Sequence, residues 1–211
     1  MEERLPRIGI MGGSFNPVHH GHLFAAQEAY DRFHLDRVIF VPAYRNPFKT
    51  AEEWEHEMAS TFHRFAMVEL ATSTNPDFYV SRFELERKMP SYALETVKHF
   101  HAEFGAAAQV YFITGTDAVL RMPQWKGIEE FHHYCEVIAV SRPTHIPDYE
   151  RFIAQVHALG LKVYFLTIPA LEISSSDIRD RVRRGLPIRY LTPTAVVVYI
   201  EKHGIYLDRV V

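Results

Sequence analysis

Ile8-Gly9-Ile10-Met11 is a short apolar run that ends in Gly12-Gly13, and apolar positions then recur at Leu23, Ala26, Ala29, Tyr30 and Phe33. The first pattern predicts a buried strand and the second, spaced by three and four, predicts a helix. The junction between them reads strand, glycine-rich turn, helix. Arg37-Val38-Ile39-Phe40-Val41-Pro42 predicts a second buried strand. A long connection rich in turn residues, Ala43 to Glu57, precedes a helix predicted near Met58 to Thr72. Phe78 to Leu85 alternates and predicts an extended segment. Ser91 is placed to cap a helix running toward Phe104, where Gly105 would stop it. Further strands are predicted at Val110 to Ile113, Glu136 to Val140 and Lys162 to Leu166. Ile178, Val182 and Leu186 stand at helical spacing, and the pair Thr192-Pro193 opens a last helix toward Gly204. Apolar strands alternating with helices predict an α/β fold, a mainly parallel sheet with helices on both faces. In such a fold ligands bind at the carboxyl ends of the strands, and the glycine turn sits at one.

Composition changes this picture little. A chain of 211 residues suffices for one good core, so 1–211 is expected to be a single domain whose C-terminal helical part begins near 174. A net charge of −3 argues against a nucleic-acid partner. The single cysteine, Cys135, excludes an internal disulfide and fits a reducing cytoplasm. No apolar run approaches a membrane span, and Met1 to Pro6 lack a signal core, so a cytoplasmic protein without a membrane partner is expected. These numbers leave room for a homo-oligomer.

The candidate chemistry is concentrated in Gly12-Gly13-Ser14-Phe15-Asn16-Pro17-Val18-His19-His20-Gly21-His22. Glycines let backbone N–H groups approach a ligand closely, and a helix start concentrates free donors and positive dipole. His19 and His22, three residues apart, fall near one face of the entering turn. The combination suits a polyphosphate held while one phosphorus is attacked. Plainer readings exist for each part. A Gly-Gly turn is often only a turn, and histidines three apart could be zinc ligands or surface residues among 13 histidines. H-E-x-x-H is absent, however, and Cys135 lies far away in sequence. In order and at a strand-to-helix junction, the parts together favour the phosphate reading.

A second candidate anion site is Glu172-Ile173-Ser174-Ser175-Ser176-Asp177-Ile178-Arg179. Ser174 and Asp177 could form only a capping box. Arg179 in the first turn adds a guanidinium fork to serine hydroxyls and backbone donors, which is more than a cap requires.

Residues 13–22 resemble the G-x-F-x-P-x-H-x-G-H signature of the nucleotidyltransferase family, with Asn16 where many members carry aspartate. The late segment is similar to that family's I-S-S/T-T-x-I-R motif. The resemblance implies a Rossmann-like nucleotidyltransferase fold that binds ATP through Gly12, Gly13, Ser14, Phe15, His19, His22, Arg142, Ser175, Ser176 and Arg179. It places Mg²⁺ on the nucleotide phosphates, with no metal held by the protein. His22 would donate to the α-phosphate while His19 orients the triphosphate. Arg179 would hold the β- and γ-phosphates. Arg142 enters through Ser141-Arg142-Pro143, a family match after the fifth strand.

The middle of the chain resembles the branch of that family that adenylylates nicotinate mononucleotide. Pro47-Phe48-Lys49 looks like its P-H-K, Pro90-Ser91-Tyr92-Ala93 like its P-S-Y-T, Phe112 to Asp117 like F-I-x-G-x-D, and Pro123-Gln124-Trp125 like P-x-W. The resemblance implies that Lys49, Ala93, Gly115, Asp117, Trp125 and Lys126 contact nicotinate mononucleotide, with Lys49 bridging donor and acceptor phosphates. His19, His22, Lys49 and Arg179 then form the catalytic set. Lys49 has a plainer reading as a surface lysine on a long loop, and Asp117 could equally be the cap of the next helix. Phe48, Ala93 and Lys126 replace the branch's usual histidine, threonine and tyrosine. A backbone N–H at a helix start favours a carboxylate over a neutral carboxamide, so nicotinate is expected over nicotinamide.

Overall fold

The computed structural model describes residues 4–48, 50, 54, 58–105, 108–141 and 149–207. Six strands form one sheet in the order β3-β2-β1-β4-β5-β6. They are β1 Arg7–Gly13, β2 Arg37–Pro42, β3 Phe78–Val80, β4 Gln109–Gly115, β5 Glu136–Ser141 and β6 Val163–Thr167. The pairs β1–β4, β4–β5 and β5–β6 are parallel, in a register that sets Ile10 beside Phe112, Ile113 beside Ile138 and Ala139 beside Phe165. Near-continuous burial along β1, β2, β4 and β5 explains their unbroken apolar runs, because covered parallel strands have no wet face.

The helices are α1 His20–Phe33, α2 Thr61–Thr72, α3 Phe83–Arg87, α4 Ala93–Phe104, α5 Thr116–Val119, α6 Ile128–Phe131, α7 Tyr149–Ala158, α8 Ser175–Arg183 and α9 Thr194–His203. Among the described residues, no helix is long and apolar enough to cross a membrane.

The chain forms two compact units, each drawn from three stretches. The first comprises Met1–Gly12, Ala25–Ile39 and Ser91–Ala170. Its core is tight around β1: a Cβ on Gly9 would come within 2.7 Å of Leu35 Cδ1 and 2.8 Å of Ile113 Cδ1. Phe112, Trp125 and Phe131 meet edge to face, with centroids 5.6–5.9 Å apart. The second unit comprises Gly13–Phe24, Phe40–Pro90 and Leu171–Val211, with α2 packed on α9.

Several element boundaries differ from those the pattern predicts. The segment 78–85 is not extended throughout. The Phe83 N–H donates to Ser81 Oγ, which turns the chain into α3, and Lys88 at φ 52° ends that helix. Ser91 is not the cap of α4; Tyr92 is its N-cap residue, without a side-chain bond. Helix α2 starts at Thr61 rather than Met58, because Ser60 accepts the His63 N–H. Helix α9 starts after Pro193, since the Thr192 hydroxyl donates instead to the Val18 carbonyl at 2.8 Å.

Candidate active site

Phe15 occupies a left-handed conformation, φ 46°, that side-chain-bearing residues seldom adopt, and it is buried. Its ring lies so close to Gly13 that a Cβ there would come within 3.0 Å of it. Glycine at 13 therefore leaves the Phe15 ring its room. The Phe15 ring also meets His22 edge-on, 5.1 Å between centroids.

His19 stands at the N-cap of α1, where its carbonyl accepts the N–H groups of His22 and Leu23. In return the His19 N–H donates to Nδ1 of His22 at 3.2 Å. This is one half of a capping box, the third helical residue reaching back to the N-cap N–H, with an imidazole in the place of the usual glutamate. A backbone N–H can only donate, so Nδ1 of His22 is an acceptor and the neutral ring carries its proton on Nε2. The two imidazoles lie 3.7 Å apart between centroids, inclined by 33°. Burial, and secondarily the charge that His19 would carry, hold His22 well below the ordinary histidine range. At neutral pH His22 is an uncharged N–H donor. Gly21 makes the stack fit, since a Cβ there would sit 3.0 Å from Nδ1 of His19.

The late motif joins the same loop. Ser174 caps α8 by accepting the Asp177 N–H at 3.0 Å, as a capping box requires. Ser175 Oγ donates to the Pro17 carbonyl at 2.8 Å, and Nη1 of the buried Arg179 donates to the Asn16 carbonyl at 3.0 Å. Nη2 of Arg179 lies 3.4 Å from Ser176 Oγ. The structure thus brings Gly13, Ser14, Phe15, His19, His22, Ser175, Ser176 and Arg179 into one unit, and Arg179 braces the loop as well as carrying charge to it.

In the other unit, Ala93 is the first residue of α4, whose N-terminus has no side-chain cap. Lys126 Nζ lies over the Tyr92 ring, 4.6 Å from its centroid, so the Trp125-Lys126 segment borders that helix start. Trp125 is half-buried and wedged against Phe112 and Phe131. Gly115 is the N-cap residue of α5 and Asp117 lies in its first turn. Gly12 ends the first stretch of this unit, its added Cβ reaching only 3.4 Å from Phe112. Lys49 and Arg142 lie outside the described residues.

Two residues that hold the loop are given no role by the sequence reading. Asn16 Oδ1 accepts both the Ala59 N–H at 3.0 Å and the Tyr206 hydroxyl at 2.9 Å. Arg64 is 0% exposed and donates to three backbone carbonyls. Its signal was present: Arg64 shares one helical stripe with Val68, Ala71 and Thr72, all buried, where an arginine does not belong without partners.

The site presents imidazoles, a guanidinium and N–H groups, a donor set that attracts anions. Among the described residues no cluster of three or more His, Cys, Asp or Glu could hold a metal.

A glycine turn leaving a parallel strand, with a histidine pair and a second helix start fastened to it, is the design of a Rossmann-like nucleotidyltransferase. Accordingly, the cytidylyltransferase-like family model matches residues 10–181. A protein of Leifsonia xyli subsp. xyli, named a probable nicotinate-nucleotide adenylyltransferase, is 42% identical over 97% of this chain and 96% of its own. One of Thermoanaerobacter sp. strain X514 with the same name is also 42% identical, over the same shares. The chain belongs to the nicotinate-nucleotide adenylyltransferase family. In fold it is similar to the Plasmodium falciparum nicotinic acid mononucleotide adenylyltransferase complexed with NaAD. That likeness has a TM-score of 0.72 at 20% identity, covering 95% of this chain and 97% of the other.

Proposed function

We propose that this enzyme transfers the adenylyl group of ATP to nicotinate mononucleotide, releasing nicotinate adenine dinucleotide and pyrophosphate, a step of NAD biosynthesis. A phosphate oxygen of the mononucleotide attacks the α-phosphorus in line. The bond from that phosphorus to the bridging oxygen breaks, and pyrophosphate leaves with the electron pair. The nucleophile is already an anion at neutral pH, so catalysis rests on positioning and on stabilising charge.

The observation that carries this reading is the His19–His22 pair. With Nδ1 of His22 engaged by the His19 N–H, Nε2–H is the donor left for a phosphate oxygen. A preorganised donor of this kind is worth about 10²–10³-fold in rate. His19 orients the triphosphate. The N–H groups of the Gly12–Phe15 turn, together with Ser175, Ser176 and Arg179, receive the triphosphate tail and the leaving pyrophosphate, with Arg142 lining the adenylate side. Lys49 bridges the phosphates of donor and acceptor. Mg²⁺ enters as part of the nucleotide substrate, carried on its phosphates and offsetting their charge.

The acceptor is read by the first unit. Ala93 offers a backbone N–H at a helix start, the Lys126 amide adds a donor, Gly115 and Asp117 face the nucleotide, and Trp125 stacks on the pyridine ring. A carboxylate gains more than a carboxamide from such a helix start. One cysteine in 211 residues accords with work in a reducing cytoplasm.

A coupled assay of pyrophosphate release, run with ATP and either nicotinate or nicotinamide mononucleotide, tests the reading. The expected result is turnover with a clearly higher kcat/KM for the nicotinate form. Equal efficiency would remove the carboxylate argument, and no release with either would remove the function.

A further inference from the structure

Arg64 heads the fully buried side chains of the described residues, and a guanidinium there must be matched by good acceptors. Burial brings its pKa down to about 10, with Tyr206 and Glu84 working against the shift, so it stays charged at neutral pH. Nε donates to the Ala59 carbonyl at 3.1 Å, Nη1 to Ser14 at 2.8 Å and Nη2 to Tyr44 at 3.4 Å. The guanidinium also lies over the Trp54 ring, 5.1 Å from its centroid.

The shortest of these bonds falls on the glycine turn. The Ser14–Phe15 peptide is trans, so its carbonyl and its N–H point in opposite directions. Holding the Ser14 carbonyl therefore fixes where the Phe15 N–H points. The preceding peptide is pinned in the same manner, because the Ala43 N–H donates to the Gly13 carbonyl at 2.8 Å. That bond fixes the N–H of Ser14. Successive backbone N–H groups in a turn are the elements from which anion-binding nests are built. The left-handed φ of 46° at Phe15 is a conformation that persists only when its surroundings enforce it, and the grip on Ser14 does so from the adjacent peptide.

We propose that Arg64 is the positioning residue of the phosphate loop: by holding the Ser14 carbonyl it aims the Phe15 N–H at the phosphates of the bound nucleotide. The inference rests on the reading of this loop as the triphosphate site and adds a residue that touches no substrate.

Inorganic tripolyphosphate is the probe. In the unaltered protein, titration followed by ¹⁵N–¹H NMR should move the Ser14 and Phe15 amide resonances among the most. Calorimetry on Arg64→Lys, which keeps the charge but loses the planar fork, should give tripolyphosphate affinity about tenfold weaker or more in protein that circular dichroism shows to be folded. The same variant should lose about tenfold in kcat while its KM for nicotinate mononucleotide stays unchanged, a split that partial unfolding alone does not produce. Undiminished affinity in folded Arg64→Lys, or a Phe15 amide indifferent to tripolyphosphate, would overturn the proposal. If Arg64→Lys does not fold, the titration of the unaltered protein still tests the proposal, and a Phe15 amide indifferent to tripolyphosphate overturns it. Tripolyphosphate binding at Phe15 without turnover of nicotinate mononucleotide would leave Arg64 its role and remove the acceptor assignment; turnover without a response at Phe15 would do the reverse.

Discussion

The backbone N–H of His19 donates to Nδ1 of His22 across 3.2 Å, so one histidine fixes the tautomer of the other. The bond belongs to the helix cap, and a structural feature thereby selects the chemical form of the imidazole proposed to meet the α-phosphate. His22→Ala removes the Nε2–H donor. Its kcat should fall by about 10²–10³-fold with a much smaller change in KM, as for loss of a donor used in the transition state. Steady-state kinetics on folded protein checks this, and near-normal turnover would take His22 out of the mechanism.

The same histidine makes stability depend on acid. Folding lowers its pKa, chiefly through burial, so below about 6.5 the unfolded chain binds a proton that the folded chain resists. The stability it contributes is present above that value and drains away as pH falls toward the lower folded pKa. His22→Asn offers an acceptor for the His19 N–H but has nothing to titrate. The Tm of the unaltered protein should therefore drop relative to His22→Asn as pH goes from 7 to 5, and parallel curves would contradict the assignment.

Much of this was legible in the chain because its signals are local. The strand, the glycine turn and the histidine pair of 8–22 follow one another, and Ser174 caps α8 as its spacing implies. The parts that could not be read depend on distant partners. Asn16 is tied to Ala59 and Tyr206, 43 and 190 residues away, and no periodicity announces such bonds. Arg64 has the hydropathy of a surface residue, yet its three acceptors are backbone carbonyls, which carry no mark in a sequence. The extended reading of 78–85 held only over Phe78–Val80, for the opposite reason: one serine turn outweighed a weak alternation beyond it.

Asn16 Oδ1 takes two bonds in a buried setting, so losing it strands two donors. Asn16→Ala should cost about 2–6 kcal/mol of stability, with roughly 1–3 for each group left unsatisfied. Tyr206→Phe removes one donor and leaves the Ala59 bond, and should cost only about 1 kcal/mol. Urea unfolding of the two variants measures the difference, and equal losses would mean that Oδ1 is not the shared acceptor described.

Gly21 separates stability from activity. It lies in the first turn of α1, and its φ is not in the left-handed region, so alanine suits the backbone and should hold or raise stability by up to about 1 kcal/mol. The added methyl, however, would stand 3.0 Å from Nδ1 and 3.1 Å from Cε1 of His19, tighter than ordinary contact. The His19 ring has to yield by a few tenths of an ångström, and it is stacked on His22 with 3.7 Å between centroids. A displacement of about 1 Å at a reacting group costs roughly 10²-fold, so this smaller one should lower kcat by about tenfold. Gly21→Ala is thus expected to unfold at or above the temperature of the unaltered protein while turning over more slowly. Full activity in that variant would mean that the position of the His19 ring does not govern the reaction. A fall in Tm in step with the loss of rate would mean that the methyl disturbs the fold rather than the imidazole.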